Sequence, residues 1–443
     1  MKKIYFAVVL LCGALGFSAC DHEEDDIFDK SAAERLNEVS RLYTERVSSS
    51  EGGWTMEYYP NASLNKDNSA YSQSTRGYLF LANFKKDGSV DMAFNNDLSG
   101  NKPLEVVQDK SAWEVITDYG PVLTFNTYNE CLHPFADPLS GIDGDYEFLM
   151  IDVPENPEYI LLKGKKRGTY MRLSRLDAGT DYEEYYKKIT DFNKKVFNSS
   201  SPSSSFLTIG DSVFHITKAN TGIAEMWPVG GDSIIDEVDH PALVTYHAGK
   251  YCFRFRDPIT LEDGNSVQEF VYDEERDLFT GKENPDYTIT GEPCGAFFAN
   301  SFERRGDDKL TWSIKKGSEM SDKMSTYIND LANEMKSKYK YTFKSLALSK
   351  TDGKYVWTLN YNASSKASYE YSFSMDGDTA NMTFIAGTTE PATKILEALP
   401  TFKTLIQAFS QSFVVSPAVT NFNLGQLKLS AVNDDTLWFV VSI

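Results

Sequence analysis

Residues 78–94 read YLFLANFKKDGSVDMAF. Tyr78, Phe80, Ala82 and Phe84 fall on every second position, and Val90, Met92 and Phe94 resume that spacing after Asp87-Gly88. A period of two places these side chains on one face of a strand. Asp-Gly between the two runs supplies the backbone freedom of a tight turn. The stretch therefore predicts a β-hairpin with one apolar face.

The same period extends outward. Trp54, Met56 and Tyr58 precede the hairpin, and strand-like segments follow at 113–118, 122–128, 146–153, 159–163 and 169–174, separated by Gly and Pro turns. So many short strands without interleaved helices predict an antiparallel meander, closed or nearly closed into a barrel or sandwich, with a lipocalin-like barrel among the options. Two helices frame it. Ser31-Ala-Ala-Glu34 reads as a capping box ahead of an amphipathic helix to residue 48 that plugs or flanks the meander. Thr180-Asp-Tyr-Glu183 opens a second helix, with Tyr182, Tyr185, Ile189, Phe192 and Val196 at helical spacing.

The Ser/Pro run at 199–205 predicts a flexible boundary after a first β-rich domain at 31–198. A second β-rich region is expected at 206–316. There Tyr251, Phe253 and Phe255 point one way, and Cys252, Arg254 and Arg256 the other. A C-terminal α+β region at 317–443 contains a helix near 319–336, hairpins turned at Asp352-Gly353 and Asp376-Gly377, a helical stretch at 391–409 kinked at Pro400, and two closing strands. The fold class is thus mainly β with accessory helices. Helix followed by Asp-Gly hairpins occurs near 31–95 and again near 319–386, a weak sign of internal duplication.

The N-terminus carries an address. Lys2 and Lys3 precede an apolar run from Ile4 to Phe17, too short for a spanning helix and of the length of a secretory signal. Ser18-Ala19-Cys20 resembles a bacterial lipobox, which predicts a signal peptide at 1–19 and acyl chains on Cys20 that hold the protein to a membrane. Residues 20–30 then form an acidic tether. Its Asp21, Glu23, Glu24, Asp25 and Asp26 resemble the surface-export signal of Bacteroidetes lipoproteins, which implies display outside the outer membrane.

A formal net charge of −20 and the lack of a basic stripe argue against nucleic acid as a partner. Beyond Cys12 and Cys20, Cys131, Cys252 and Cys294 remain, which permits at most one internal disulfide. No cofactor motif is apparent.

The stretches YGPVLTFNTYNECLHPFADP (119–138), GDYEFLMIDVPENPEYILLKGKKRG (144–168) and FRFRDPITLEDGNSVQEFVYDEERDLFTG (253–281) are similar to an uncharacterised lipoprotein family of Bacteroidetes, domain-of-unknown-function family 4302. The likeness covers roughly residues 30–285. It implies a neighbourhood of outer-membrane transporters that import glycans or other nutrients, and it supplies no catalytic residues.

Gly210-Asp-Ser212 and Gly231-Asp-Ser233, with His240 near Asp236 and Asp239, resemble the serine block of a lipase-like hydrolase, yet residues 213–217 read as strand where that chemistry needs a helix. Cys131, His133 and Asp137 offer the start of a metal site or a thiol with its base, without the paired spacing of zinc ligands. Asp143-Gly-Asp145 and Asp376-Gly-Asp378 carry carboxylates suited to calcium but read as turns. No residue is therefore assigned to catalysis or to a metal. Tyr59 and Trp227 break the strand alternation and are the candidate exposed ligand contacts.

These features together lead to the expectation of a surface-exposed, lipid-anchored, non-enzymatic binding or accessory component of a nutrient-uptake system. Its expected partners are an oligosaccharide or peptide and an outer-membrane transporter complex. The alternative is a surface hydrolase of glycan or peptide using Ser212, Ser233 or Cys131.

Overall fold

The computed structural model describes residues 30–60, 76–198, 200–303, 310–315 and 317–443. The strands form three closed antiparallel barrels of eight consecutive strands each. In the first, β1 (Trp54–Tyr59) pairs with both β2 (Tyr78–Phe84) and β8 (Tyr170–Arg175), which closes the cylinder. The meander runs β2, β3 (Ser89–Asn95), β4 (Val106–Thr117), β5 (Pro121–Phe125), β6 (Glu147–Asp152), β7 (Tyr159–Gly164), β8.

Closure at eight strands leaves an interior just wide enough for side chains. The alternating residues fill it: Trp54, Met56, Tyr58, Phe80, Phe84, Met92 and Leu173 are all essentially buried. Phe80 stacks on Phe94 at 4.6 Å between centroids, and Phe135 from the short turn His133–Ala136 meets Tyr58, Tyr78 and Phe94 edge-on. Helix α1 (Ala32–Val47) carries the expected capping box, Glu34 N donating to Ser31 Oγ at 3.2 Å and Ser31 N to Glu34 Oε2 at 2.9 Å. It lies across β4 and β5, with Val47 in the barrel core and Ser40 Oγ 3.1 Å from Thr117 Oγ1.

The second barrel comprises β9 (Ser205–Ile209), β10 (Ser212–Thr217), β11 (Ile223–Pro228), β12 (Val238–His247), β13 (Lys250–Thr260), β14 (Ser266–Asp273), β15 (Leu278–Gly281) and β16 (Thr288–Gly291), closed by β16 on β9. Helix α2 (Tyr182–Val196) joins the first two barrels. Its cap is Asp181, accepting from Glu184 N at 2.8 Å, one residue later than the sequence pattern places it. Tyr186 donates to the carbonyl oxygens of Leu79 and Ala93 on the first barrel, while Phe192 stacks on Tyr251 of the second at 3.9 Å. The expected linker is docked: Ser203 Oγ accepts from Leu424 N at 3.2 Å.

At the seam the two barrel walls touch. Gly77 N donates to Gly222 O at 2.7 Å, and a Cβ on Gly222, whose φ is +88°, would lie 2.2 Å from Gly77 O. Beside this contact Glu57 of β1, 2% exposed, sits among Arg172, Arg254 and, beyond them, Glu269. Tyr59 belongs to the same seam.

The third barrel starts at β17 (Trp312–Lys315), which pairs with β18 (Phe343–Thr351) and β24 (Trp438–Ser442). Its first strand thus falls before the boundary expected at 316. Helix α3 (Cys294–Ser301) precedes it, and α4 (Asp322–Tyr339) is inserted between β17 and β18. Helices α5 (Glu390–Ala398) and α6 (Pro400–Ala408) break at Pro400, as its sequence position predicts. Among the described residues no helix is long and apolar enough to cross a membrane.

Candidate functional site

The outer face of the second barrel assembles a set of side chains that the chain order keeps apart. On β9, β10 and β11 the inward positions are taken by Leu207, Ile216 and Met226, so Phe206, His215 and Trp227 point out. The register then sets Phe206 opposite His215 and His215 opposite Trp227. His215 and Trp227 stack at 5.0 Å and 21°, and Phe206 follows at 5.0 Å and 44°. All three rings are half-buried. Burial holds the His215 imidazole below its usual pKa against the pull of Glu292, so the ladder is neutral at neutral pH.

Two residues further along, the same face turns acidic. Thr217, Glu225 and Asp239 oppose one another across β10, β11 and β12. Carboxylate oxygens of Glu225, Glu237 and Asp239 lie within 4.8 Å of each other. Burial pushes the Glu237 and Asp239 carboxyls up, and repulsion from Glu225 adds to it. Lys218 pairs with Glu225, and Thr217 Oγ1 donates to it at 3.3 Å. These are the described residues best suited to hold a cation, although one ammonium already occupies the cluster's flank.

The β11–β12 connection adds an apolar tip. Val229, Ile234 and Ile235 are 51%, 91% and 79% exposed. Hydrogen bonds from Asp232 N to Asp236 Oδ2 (2.8 Å), Ile234 N to Asp232 Oδ1 (2.8 Å) and Asp236 N to Asp232 O (2.7 Å) hold the loop in that shape. An ordered loop that keeps two isoleucines in water is an unusual surface feature. The face as a whole offers aromatic edges, hydrogen-bond acceptors and an apolar contact, which suits binding.

Of the two expected contact residues, Trp227 lies in this ladder. Tyr59 does not, and it is not exposed: it has no accessible surface, because α2 and the second barrel cover the outer face of β1. Its hydroxyl has no hydrogen-bond partner. Cys20 lies outside the described residues.

The hydrolase elements are dispersed. Ser212 opens β10, Ser233 sits in the exposed β11–β12 turn, and His240 lies beyond the level of Thr217 at the other end of β10. His240 packs edge-on to Phe255 at 6.0 Å, and burial pushes its imidazole down to about 4. Cys131 is buried, donates to Val107 O at 3.6 Å, and is pushed up to about 12 by burial and by Asp109. His133 accepts from Asn129 N through Nδ1 at 3.0 Å between the rings of Tyr128 and Tyr146, while Asp137 caps a turn through Leu139 N. Asp145 is consumed by Arg167 N, Lys166 N and Thr169 Oγ1, Asp143 by Arg167, and Asp378 by Gly295 N. Cys131, Cys252 and Cys294 are all free thiols.

The alternation rule places Phe206, His215 and Trp227 outward. What it cannot supply is the cross-strand register that makes them neighbours, and that is why Phe206, His215, Glu225 and Glu237 escape a reading of the chain alone.

No curated protein matches this chain. Among solved structures, the beta subunit from DNA polymerase of Streptococcus pyogenes is 9% identical over 90% of this chain and 95% of that one, with a TM-score of 0.13, which carries no argument about fold or function. Residues 24–274, spanning the first barrel and most of the second, match a family described as "Domain of unknown function (DUF4302)". With more than half of its length matched, the chain belongs to that family.

Proposed function

We propose that the protein is a non-enzymatic binding or accessory component of a nutrient-uptake system for glycan or peptide, held to the outer membrane by acyl chains on Cys20 and displayed at the cell surface. The lipobox-like Ser18-Ala19-Cys20 and the acidic run after it support the address. The observation that carries the binding role is the Phe206–His215–Trp227 ladder beside the Glu225, Glu237 and Asp239 carboxylates. Ring edges and faces contact apolar ligand surface, and the acceptors take its hydroxyl or amide protons.

The test is thermal unfolding of residues 27–443 against a panel of oligosaccharides, peptides and calcium. A ligand at 100 times its dissociation constant stabilises by about 2.7 kcal/mol. A raised midpoint that Trp227→Ala abolishes supports the binding role; no shift with any ligand rejects it and leaves the accessory role, for which crosslinking should recover one protein partner. Surface display is checked separately with protease, where a protein left intact on whole cells but digested in broken cells contradicts it.

A further inference from the structure

Among the described residues, the end of the first barrel opposite α1 is not filled to its rim. Val107 opposes Phe94 in the β3–β4 register and shares its inward face, yet Val107 is 43% exposed and Phe94 only 9%. A cavity of about 500 Å³ opens at this mouth. Its floor is aromatic: Tyr78 and Phe135 meet at 4.7 Å, and Phe94 and Phe135 at 5.2 Å. Phe135 is locked from behind by Phe80 at 5.1 Å and Tyr58 at 5.7 Å, so the floor is rigid.

The rim is unbalanced in charge. Among the described residues Asp97, Glu105 and Glu130 line it against one cation, Lys102. Lys102 Nζ lies 3.9 Å from Asp97, whose carboxylate also accepts from Ser99 N and Ser99 Oγ. Glu105 and Glu130 are exposed. The volume is that of a small-molecule site, where an apolar lining supplies affinity and a few polar groups set orientation. The Arg76 guanidinium already lies over the Tyr78 ring at 4.9 Å, so the rings of Phe94 and Phe135 offer contact to an apolar body and the rim carboxylates draw a positive head.

We infer that the mouth of the first barrel binds a small organic cation with an aromatic body. The site is separate from the Trp227 face and stands or falls without it. Calorimetric titration of the purified full chain with 2-phenylethylamine, 2-phenylethanol and phenylacetate isolates the charge, because the three probes share one body. The amine should bind about tenfold tighter than the acid, with the alcohol between them, a difference of about 1.4 kcal/mol. Val107→Phe, which fills the mouth, should abolish binding at an unchanged melting midpoint. The double variant Glu105→Gln/Glu130→Gln should bring amine and alcohol together, and Trp227→Ala should change nothing. No binding of any probe at millimolar concentration, equal affinities for all three, or binding that survives Val107→Phe overturns the inference.

Discussion

Arg254 of the second barrel reaches across the seam to Glu57 of the first, Nε to Oε2 at 3.5 Å, and bonds Glu269 of its own barrel through Nη1 at 3.1 Å. Glu57 is also 3.7 Å from Arg172, and Lys282 holds Glu269 at 2.8 Å. Burial pushes the Glu57 carboxyl up against the pull of Arg254 and Arg172. For Glu269 burial is likewise the largest influence, but the Lys282 hydrogen bond and neighbouring cations outweigh it and hold the carboxyl below the usual range. The seam is therefore a charge network whose members depend on one another.

Removing one member should cost more than removing the pair. Arg254→Met leaves Glu57 buried without its main counter-charge and should destabilise the protein by about 3–5 kcal/mol, and Glu57→Gln in turn leaves Arg254 without one of its two carboxylates. The double variant Glu57→Gln/Arg254→Met should recover much of that loss. Urea denaturation of both single variants and the double variant measures the coupling.

Gly222→Ala tests the backbone contact at the same seam. The methyl would clash with Gly77 O and the backbone would keep a left-handed φ, so destabilisation of about 1–3 kcal/mol is expected from thermal melts.

His240 predicts a pH dependence. Its imidazole is held near 4, below an ordinary value near 6.5, so the unfolded chain binds the proton more tightly than the folded one. Stability is therefore unaffected above about pH 6.5, falls as pH drops from there towards 4, and loses no more from this group below that. His240→Gln should flatten that part of a stability-versus-pH curve.

The three free thiols should resist modification in the folded state. Burial pushes Cys131 and Cys294 up to about 12 and Cys252 to about 11, so the reactive thiolate is scarce at pH 8. Iodoacetamide should label none of them until denaturant is added, and mass spectrometry reads the outcome.

Much of the strand pattern was legible in the chain because alternation is local. Residues 78–94 form the hairpin that Asp87-Gly88 turns, and Phe253 and Phe255 face inward as their spacing requires. The opposite face misled. Arg254 and Arg256 point out of their barrel, as does Tyr59 out of its own, yet all three are buried because a neighbouring barrel or helix covers them. Pointing away from one core does not mean pointing into water when a second core abuts it. The third barrel was hidden for another reason: β17 has four residues, and α4 separates it from its partner β18. The polar first half of β4, from Val106, carries no apolar alternation to announce it. At the candidate site, Trp227 was visible as an irregularity, whereas its neighbours depend on register.

Among the described residues each of the three cylinders ends by pairing with its own first strand, so no strand stands at the free edge of an open sheet. Such margins are where one molecule recruits another by strand addition. Copies of these barrels packed side by side at high density therefore meet without a terminal strand to extend among the described residues, and side chains decide their encounters: the Trp227 ladder, its carboxylates and the two isoleucines beside it.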